Sequence, residues 1–176
     1  LSPIYCSPMA DFGYDITDYQ NVDSVFGTMA DADQLIQEAH KNNIKVIFDM
    51  VLNHTSIEHP WFQESRQSKD NDKADYYIWS DTIPNNWQGA FGKRAWSYDE
   101  KRKQYYLHSF LEEQPDLNWR NQEVVDAVFS ILRYWLDRGV DGFRLDVINC
   151  IIKDKTLRSN PRIVGSRPRP YDMQRH

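Results

Sequence analysis

The stretch Gly142-Phe143-Arg144-Leu145-Asp146-Val147 places an arginine and an aspartate two positions apart at the end of an apolar segment. That segment begins at Val140 and predicts a β-strand over residues 140–147. Side chains two apart on a strand face the same side, so Arg144 and Asp146 are expected to be neighbours. An arginine beside an aspartate at a strand's carboxyl end can keep the carboxylate ionised and oriented, as a carboxylate nucleophile requires. A structural ion pair explains the same spacing, and this stretch alone does not separate the two interpretations.

A second apolar run, Lys45-Val46-Ile47-Phe48-Asp49-Met50-Val51, is followed by Leu52-Asn53-His54. A nearly continuous apolar run of this length is typical of a parallel strand buried on both faces. Leu1 to Tyr5 is a short apolar stretch that resembles the tail of a strand, and the absent initiator Met favours a truncated beginning. We therefore expect strands at 1–5, 45–51 and 140–147.

Two amphipathic helices are predicted between these strands. Thr28 and Asp31 form a capping-box pair for the first helix, which should end near Asn42-Asn43. Asn121 is expected to cap the second helix, which runs to Asp137 before Gly139. The expected buried stripes are Leu35, Ile36 and Ala39 in the first helix, and Val124, Val125, Val128, Ile131, Leu132, Trp135 and Leu136 in the second.

Residues 55–113 are polar, aromatic-rich and irregular, with short strands expected at Tyr76-Tyr77-Ile78-Trp79 and Tyr105-Tyr106-Leu107-His108. Almost sixty residues are too many for a loop, so we interpret this region as an inserted subdomain. The chain then divides into a segment over 1–54, the insertion over 55–113 and a segment over 114–176. Strand alternating with helix predicts a parallel α/β fold.

Composition excludes several classes of protein. The chain has 176 residues, 40% of them hydrophobic, and a net charge of −5 without a block of like charges. Neither nucleic acid nor a membrane is therefore expected as a partner, and no apolar run approaches the length of a membrane span. Cys6 and Cys150 are far apart and lack metal-site spacing, so we expect buried thiols and a cytoplasmic location. Aromatic residues make up 14% of the chain, enough for walls that stack on sugars, although packing also explains them.

Asp49-Met50-Val51-Leu52-Asn53-His54 and Gly142-Phe143-Arg144-Leu145-Asp146-Val147 resemble the first and second signature regions of the α-amylase superfamily, glycoside hydrolase family thirteen. The resemblance implies a partial (β/α)8 barrel, about strands 2 to 4, with the inserted subdomain after the third strand. A complete barrel needs roughly 250 residues, so the chain is expected to be an N-terminal part of a catalytic domain. Its partner would be the remainder of that barrel.

The resemblance also assigns substrate-binding residues. Ser2-Pro3-Ile4-Tyr5 and Gly13-Tyr14-Asp15-Ile16 look like the second strand and its loop, in which Asp11 and Tyr14 would bind the terminal glucose. His54 would hydrogen-bond a hydroxyl of the same sugar, while Asp49 and Asn53 would be structural. Gln114-Pro115-Asp116-Leu117-Asn118 resembles the fifth region of oligo-1,6-glucosidases, so Gln114 and Phe110 would line the acceptor side. Pro115-Asp116 taken alone reads as a turn.

The implied activity is retaining hydrolysis of α-glucosides in short oligosaccharides. Asp146 would be the nucleophile, Arg144 its orienting partner, and Val147 a residue typical of relatives that cleave α-1,6 bonds, where α-1,4-selective maltases have Thr. The general acid and a stabilising aspartate would lie beyond His176, so a polypeptide of these 176 residues is expected to be inactive. No cofactor is expected, and a metal site that relatives often carry would precede Leu1.

Three alternatives stay open. A trehalose-6-phosphate hydrolase or a transglucosidase would share these motifs, and trehalose-6-phosphate hydrolases and some mixed-specificity α-glucosidases also carry Val after the nucleophile. A noncatalytic amylase-like ectodomain of an amino-acid transporter subunit is the third, although such a scaffold would need none of His54, Arg144 and Asp146.

Overall fold

The computed structural model describes residues 1–161. Its centre is a parallel pair of strands, β3 (Ile47–Val51) and β7 (Gly142–Asp146), in a register that runs from Ile47 opposite Gly142 to Val51 opposite Asp146. The prediction that these two segments share one parallel sheet is confirmed. The Leu1 carbonyl accepts a hydrogen bond from the Asp49 amide at 3.0 Å, so the start of the chain lies along the other edge of β3.

The two faces of this pair have different environments. Phe48 and Met50 are buried, and the Phe48 ring packs 5.1 Å from that of Trp135 on the covering helix. Asp49 and Arg144 lie opposite each other on the other face. The prediction that this strand is buried on both faces is wrong at the first residue of β3, since Ile47 is 50% exposed.

The helix α1 (Met29–Lys41) begins as the sequence predicts. The Thr28 side chain accepts from the Asp31 amide, the Asp31 carboxylate accepts from the Thr28 amide, and Asn42 ends the helix. The buried stripe is displaced from the prediction, because Ala32 and Ile36 are buried and Leu35 is 43% exposed. Ala32 and Ile36 are four residues apart and share a face, whereas Leu35 lies on the neighbouring face.

The second helix, α3 (Gln122–Asp137), is capped by Asn121, whose side chain accepts from the Glu123 amide. Gly139 follows it at φ 103°, a left-handed conformation that favours glycine. The residues of the predicted stripe that are buried are Val124, Val128, Ile131 and Trp135, whereas Val125 and Leu132 are half-buried and Leu136 is exposed.

The start of the chain corrects one prediction. The strand β1 (Tyr5–Cys6) is short and pairs antiparallel with β2 (Asp18–Val22), which the sequence did not reveal. Asp-Tyr-Gln-Asn-Val is mostly polar and lacks the apolar run of a buried strand. Only Tyr19 of β2 is buried, and it packs 5.9 Å from the Tyr5 ring.

Residues 55–113 contain the short helix α2 (Pro60–Ser65) and an antiparallel sheet of β4 (Trp79–Ser80), β6 (Gln104–Leu107) and β5 (Trp96–Asp99), in that spatial order. The predicted strand near Tyr105 corresponds to β6, but the one at 76–79 is reduced to its last residue. Tyr76 and Tyr77 instead pack into the main core. A second hydrophobic cluster contains Trp87, Ala95, Trp96 and Leu107. That the region is an inserted subdomain stays a prediction.

Cys6 and Cys150 are free thiols and only half-buried, not buried as expected. Within residues 1–161, no helix is long and apolar enough to cross a membrane. The basic, proline-rich stretch Arg167-Pro168-Arg169-Pro170 and the weaker family resemblance near the C-terminus lie outside the described residues.

Candidate active site

Arg144 joins two carboxylates at the carboxyl edge of the parallel pair. Its Nη1 lies 2.7 Å from Asp49 Oδ2 on β3 and 2.7 Å from Asp146 Oδ1 on its own strand. The spacing of two along β7 therefore places Arg144 and Asp146 side by side, as predicted. The Asp146 side chain keeps 15% of its surface exposed and that of Asp49 only 7%. An oriented, accessible carboxylate beside a guanidinium suits nucleophilic attack on an electrophilic carbon.

Tyr14 connects this pair to the rest of the predicted site. Its hydroxyl donates to Asp49 Oδ2 at 3.1 Å, and its carbonyl lies 3.1 Å from His54 Nε2. Burial and the neighbouring Asp49 carboxylate raise the pKa of the Tyr14 hydroxyl, so this group donates a proton in its hydrogen bonds. Tyr14 is thus held by Asp49 at its hydroxyl and contacts His54 through its backbone carbonyl.

His54 is buried and contacts two other predicted residues, Gln114 and Phe110. The Gln114 side-chain amide donates to Asp11 Oδ2 at 3.0 Å and lies 3.1 Å from His54 Nε2. The Phe110 ring centroid is 5.2 Å from that of His54. Burial lowers the pKa of His54, which keeps the imidazole neutral and able to donate one hydrogen bond. Asp11, Tyr14, His54, Phe110 and Gln114 therefore form one contiguous group, although they come from three separate stretches of sequence.

Val147 follows Asp146 in a strained backbone conformation. Its φ of 40° and ψ of 39° are left-handed, which is costly for a β-branched residue. The Cys150 amide donates to the Val147 carbonyl at 2.8 Å and closes a 3-10 turn over Ile148–Cys150. The chain therefore turns sharply away from the sheet directly after the predicted nucleophile.

Sequence reasoning missed Lys153, whose side chain is 3% exposed. Its ammonium lies 2.9 Å from Asp116 Oδ2 and donates to Asn53 Oδ1 at 2.6 Å. Asp116 is completely buried, so it does more than form a turn. A single lysine after Ile151-Ile152 has no local signature, and only its contacts with residues 37 and 100 positions away identify it.

Metal ligation gains no support from side-chain clustering. No group of three or more histidine, cysteine, aspartate or glutamate side chains in the described part of the chain is arranged to hold a metal ion. The carboxylates at the sheet edge are held by Arg144 and Lys153 instead.

Comparison with known proteins shows which protein family the chain matches. A family model described as the alpha amylase catalytic domain matches residues 1–175. The oligo-1,6-glucosidase of Parageobacillus thermoglucosidasius is 55% identical over 87% of this chain and 28% of its own length. The crystal structure of an alpha-glucosyl transfer enzyme, XgtA, superposes with a TM-score of 0.92 at 54% identity, over 99% of this chain and 35% of that one.

A further solved structure, the trehalose-6-phosphate hydrolase of Bacillus licheniformis, superposes with a TM-score of 0.88 at 48% identity. The match covers 90% of this chain and 30% of the hydrolase. The chain spans about a third of the length of the curated relatives it matches.

Proposed function

The chain belongs to the alpha-amylase family and holds part of its catalytic barrel, and from this premise we propose that the parent protein is a retaining, exo-acting α-glucosidase. Its substrates are short oligosaccharides, in which it hydrolyses α-1,6-glucosidic bonds and, as a second class, α-1,4 bonds. These 176 residues supply the nucleophile and much of the pocket for the terminal glucose.

The observation that carries this proposal is the Arg144–Asp146 pair at the carboxyl edge of β3 and β7, where barrel enzymes place their active sites. Asp146 Oδ attacks the anomeric carbon, and the bond to the leaving oxygen breaks as a carboxylic acid elsewhere in the parent protein protonates that oxygen. A water molecule, deprotonated by the same acid in its base form, then releases glucose from the covalent intermediate. Arg144 restricts the rotation of the Asp146 carboxylate by its contact at 2.7 Å.

The neighbouring group is proposed to bind the substrate, with Asp11, Tyr14 and His54 at the terminal glucose and Phe110 and Gln114 on the acceptor side. His54, Asp11 and Gln114 bring a neutral imidazole, a carboxylate and an amide together within 3.1 Å contacts, a set suited to several adjacent hydroxyls. Tyr14 and Phe110 add aromatic faces for the apolar side of a sugar ring.

A preference for α-1,6 bonds rests on Val147 and on the relative named oligo-1,6-glucosidase. Two alternatives have their own support among the solved structures, because one neighbour is a trehalose-6-phosphate hydrolase and another an alpha-glucosyl transfer enzyme. A noncatalytic scaffold is disfavoured, since it would not need a nucleophile-like carboxylate held by Arg144.

The deciding experiment is steady-state kinetics of the full-length parent on isomaltose, maltose and trehalose 6-phosphate, with product analysis at high sugar concentration. We expect kcat/KM on isomaltose to equal or exceed that on maltose. Activity confined to the phosphorylated disaccharide, or products longer than the substrate, would replace the assignment with one of the alternatives. No activity on any of the three would favour the scaffold.

The domain division and cellular location are also proposals. We place β3 and β7 as the third and fourth barrel strands, residues 55–113 as the insertion between them, and the enzyme in the cytoplasm. A crystal structure of the parent protein tests the first two, and cell fractionation tests the third.

A further inference from the structure

The Lys153 ammonium is saturated by three acceptors from three different segments. It donates to Asn53 Oδ1 after β3, to the Cys150 carbonyl in the turn after β7, and it lies 2.9 Å from Asp116 Oδ2. An ammonium has three protons, so each of these contacts can use one. Lys153 therefore connects the turn that follows Asp146-Val147 to the segment that carries His54.

These contacts fix the orientation of the Asn53 amide. Its oxygen faces the Lys153 ammonium, so its nitrogen is left to donate to Asp116 Oδ1 at 2.9 Å and to His54 Nδ1 at 3.1 Å. The reversed amide would direct its hydrogens at an ammonium and its oxygen at a carboxylate. Both changes are unfavourable, since neither new pair can form a hydrogen bond.

The Asn53 orientation in turn fixes the tautomer of His54. Because Asn53 Nδ2 donates to Nδ1, the imidazole proton must reside on Nε2. The Tyr14 carbonyl, 3.1 Å away, can accept from Nε2. The Gln114 amide nitrogen also lies 3.1 Å from Nε2, but its two protons have acceptors in Asp11 Oδ2 at 3.0 Å and the Tyr14 carbonyl at 3.3 Å, so it does not need Nε2 as an acceptor.

We propose that Lys153 is a positioning residue of the active site: through the Asn53 amide it holds His54 in the Nε2–H tautomer, and through the Cys150 carbonyl it holds the turn after Asp146. The role in catalysis rests on the proposed glucosidase function, whereas the effect on His54 does not. Lys153 itself does not touch the substrate and acts only through these two contacts.

The charges around His54 support this arrangement. Burial lowers the pKa of His54, the Asp116 and Asp146 carboxylates oppose that shift, and the Lys153 ammonium reinforces it. Removing Lys153 therefore raises the pKa of His54. The acid limb of kcat/KM should move to higher pH, because the imidazolium forms more readily.

The test compares Lys153→Met, Lys153→Arg and the matched control Lys155→Met in the full-length parent, since Lys155 is exposed two residues away. The double variant Lys153→Met/Asp116→Asn removes both buried charges and replaces the single variant where that one does not fold. Two readouts are used: kcat and KM on isomaltose across pH, and the nitrogen shifts of the His54 ring in protein with 15N-labelled histidine, assigned with His54→Gln.

We expect Lys153→Met to lower kcat/KM by about 10- to 100-fold, the scale of a misplaced catalytic group. It should also replace the single His54 tautomer by a mixture and move the acid limb upward. Lys153→Arg should restore the tautomer and most of the activity, and Lys155→Met should match the wild type. A variant that only melts earlier, with its His54 ring signals and acid limb unchanged, would overturn the proposal. If the wild-type parent lacks glucosidase activity, the proposed function fails, and the His54 signals alone decide whether Lys153 fixes the tautomer.

Discussion

Arg144 and Lys153 make the same kind of bridge in two neighbouring parts of the carboxyl edge. Arg144 lies 2.7 Å from each of Asp49 and Asp146, with 56% of its side chain exposed. Lys153 contacts Asn53 and Asp116 within 2.9 Å, with 3% of its side chain exposed. We call the first set the open bridge and the second the buried bridge. In each, a cation from the region of β7 holds an acceptor from the region of β3.

The two bridges differ in exposure to solvent, and this difference suits them to different roles. An ion pair in contact with solvent contributes little to stability, because water screens its attraction. A buried pair contributes mainly by preventing an unpaired buried charge, which is expensive. The open bridge is therefore suited to a carboxylate that must react, and the buried bridge to groups that must stay in place. Substitutions in the open bridge should therefore reduce mainly activity, whereas substitutions in the buried bridge should reduce stability as well as activity.

The largest effect is expected for Asp146→Asn in the full-length parent. Removing the nucleophile of a covalent mechanism should lower kcat on isomaltose by at least about 10⁴-fold, with little change in melting temperature. The matched control is Asp141→Asn, one residue before β7 at the opposite end of the strand, where the carboxylate contacts Lys45 and His40. Its kcat should be unchanged. Equal losses in both variants would show that the strand, and not the open bridge, determines activity.

The second prediction compares the two cations directly. Lys153→Met should lower the free energy of unfolding by about 3–5 kcal/mol, because it leaves the Asp116 carboxylate buried without its cation. Arg144→Met should cost less, about 1–3 kcal/mol, because the Asp49 carboxylate is also buried but keeps its hydrogen bond from Tyr14. Urea unfolding of both variants of the parent measures this. Similar losses for the two would mean that exposure does not distinguish the bridges.

The Arg144–Asp146 contact of the open bridge could be predicted from sequence, whereas the Arg144–Asp49 contact and the buried bridge could not. Arg144 and Asp146 share one strand, and a spacing of two suffices to make them neighbours. The helix caps at Thr28 and Asn121 could also be predicted, since a capping side chain forms hydrogen bonds with residues within three positions. Lys153 depends on contacts with distant segments that no local pattern encodes.

Two predictions about the fold were wrong for the same reason: local sequence does not show which distant residues a segment contacts. The strand β2 was missed because its partner β1, more than ten residues away, provides its hydrogen bonds, and its own residues are mostly polar. The stripe of α1 was displaced to include Leu35 because hydrophobicity alone does not say which face meets the core. The grouping of Asp11, His54 and Gln114 came from the family resemblance, since they lie up to 103 positions apart.

A third prediction uses a buried histidine outside both bridges as a reference for the cost of charging a buried group. Burial lowers the pKa of His59 from its usual 6.5 to about 4, with Asp18 opposing the shift. The unfolded chain therefore takes up this proton first as the pH falls, and stability is lost between about pH 6.5 and pH 4. The loss attributable to His59 should approach about 3 kcal/mol at pH 4.

His59→Asn is the variant that checks this value. The His59 ring accepts from the Trp61 amide at 3.1 Å at the start of α2, and asparagine retains an acceptor there but does not titrate. Urea unfolding of wild type and variant is measured between pH 7 and pH 4. The free energy of unfolding should fall less steeply with decreasing pH in the variant. Parallel curves would mean that the imidazole is already accessible to protons in the folded state.

The smallest effect concerns Val147, which links the open bridge at Asp146 to the turn that Lys153 holds at Cys150. Its left-handed φ of 40° costs any residue with a Cβ about 1–2 kcal/mol, part of which glycine recovers. We therefore expect Val147→Gly to be about 1 kcal/mol more stable than Val147→Ala, since both lose the same side chain beyond Cβ and only the alanine keeps the strain. At Ser130, inside α3, the order should reverse, with alanine about 1 kcal/mol more stable than glycine. Thermal unfolding of the four variants of the parent measures both differences. If alanine were the more stable residue at both positions, residue 147 would not be held in the left-handed conformation, and the turn between the two bridges would not be strained.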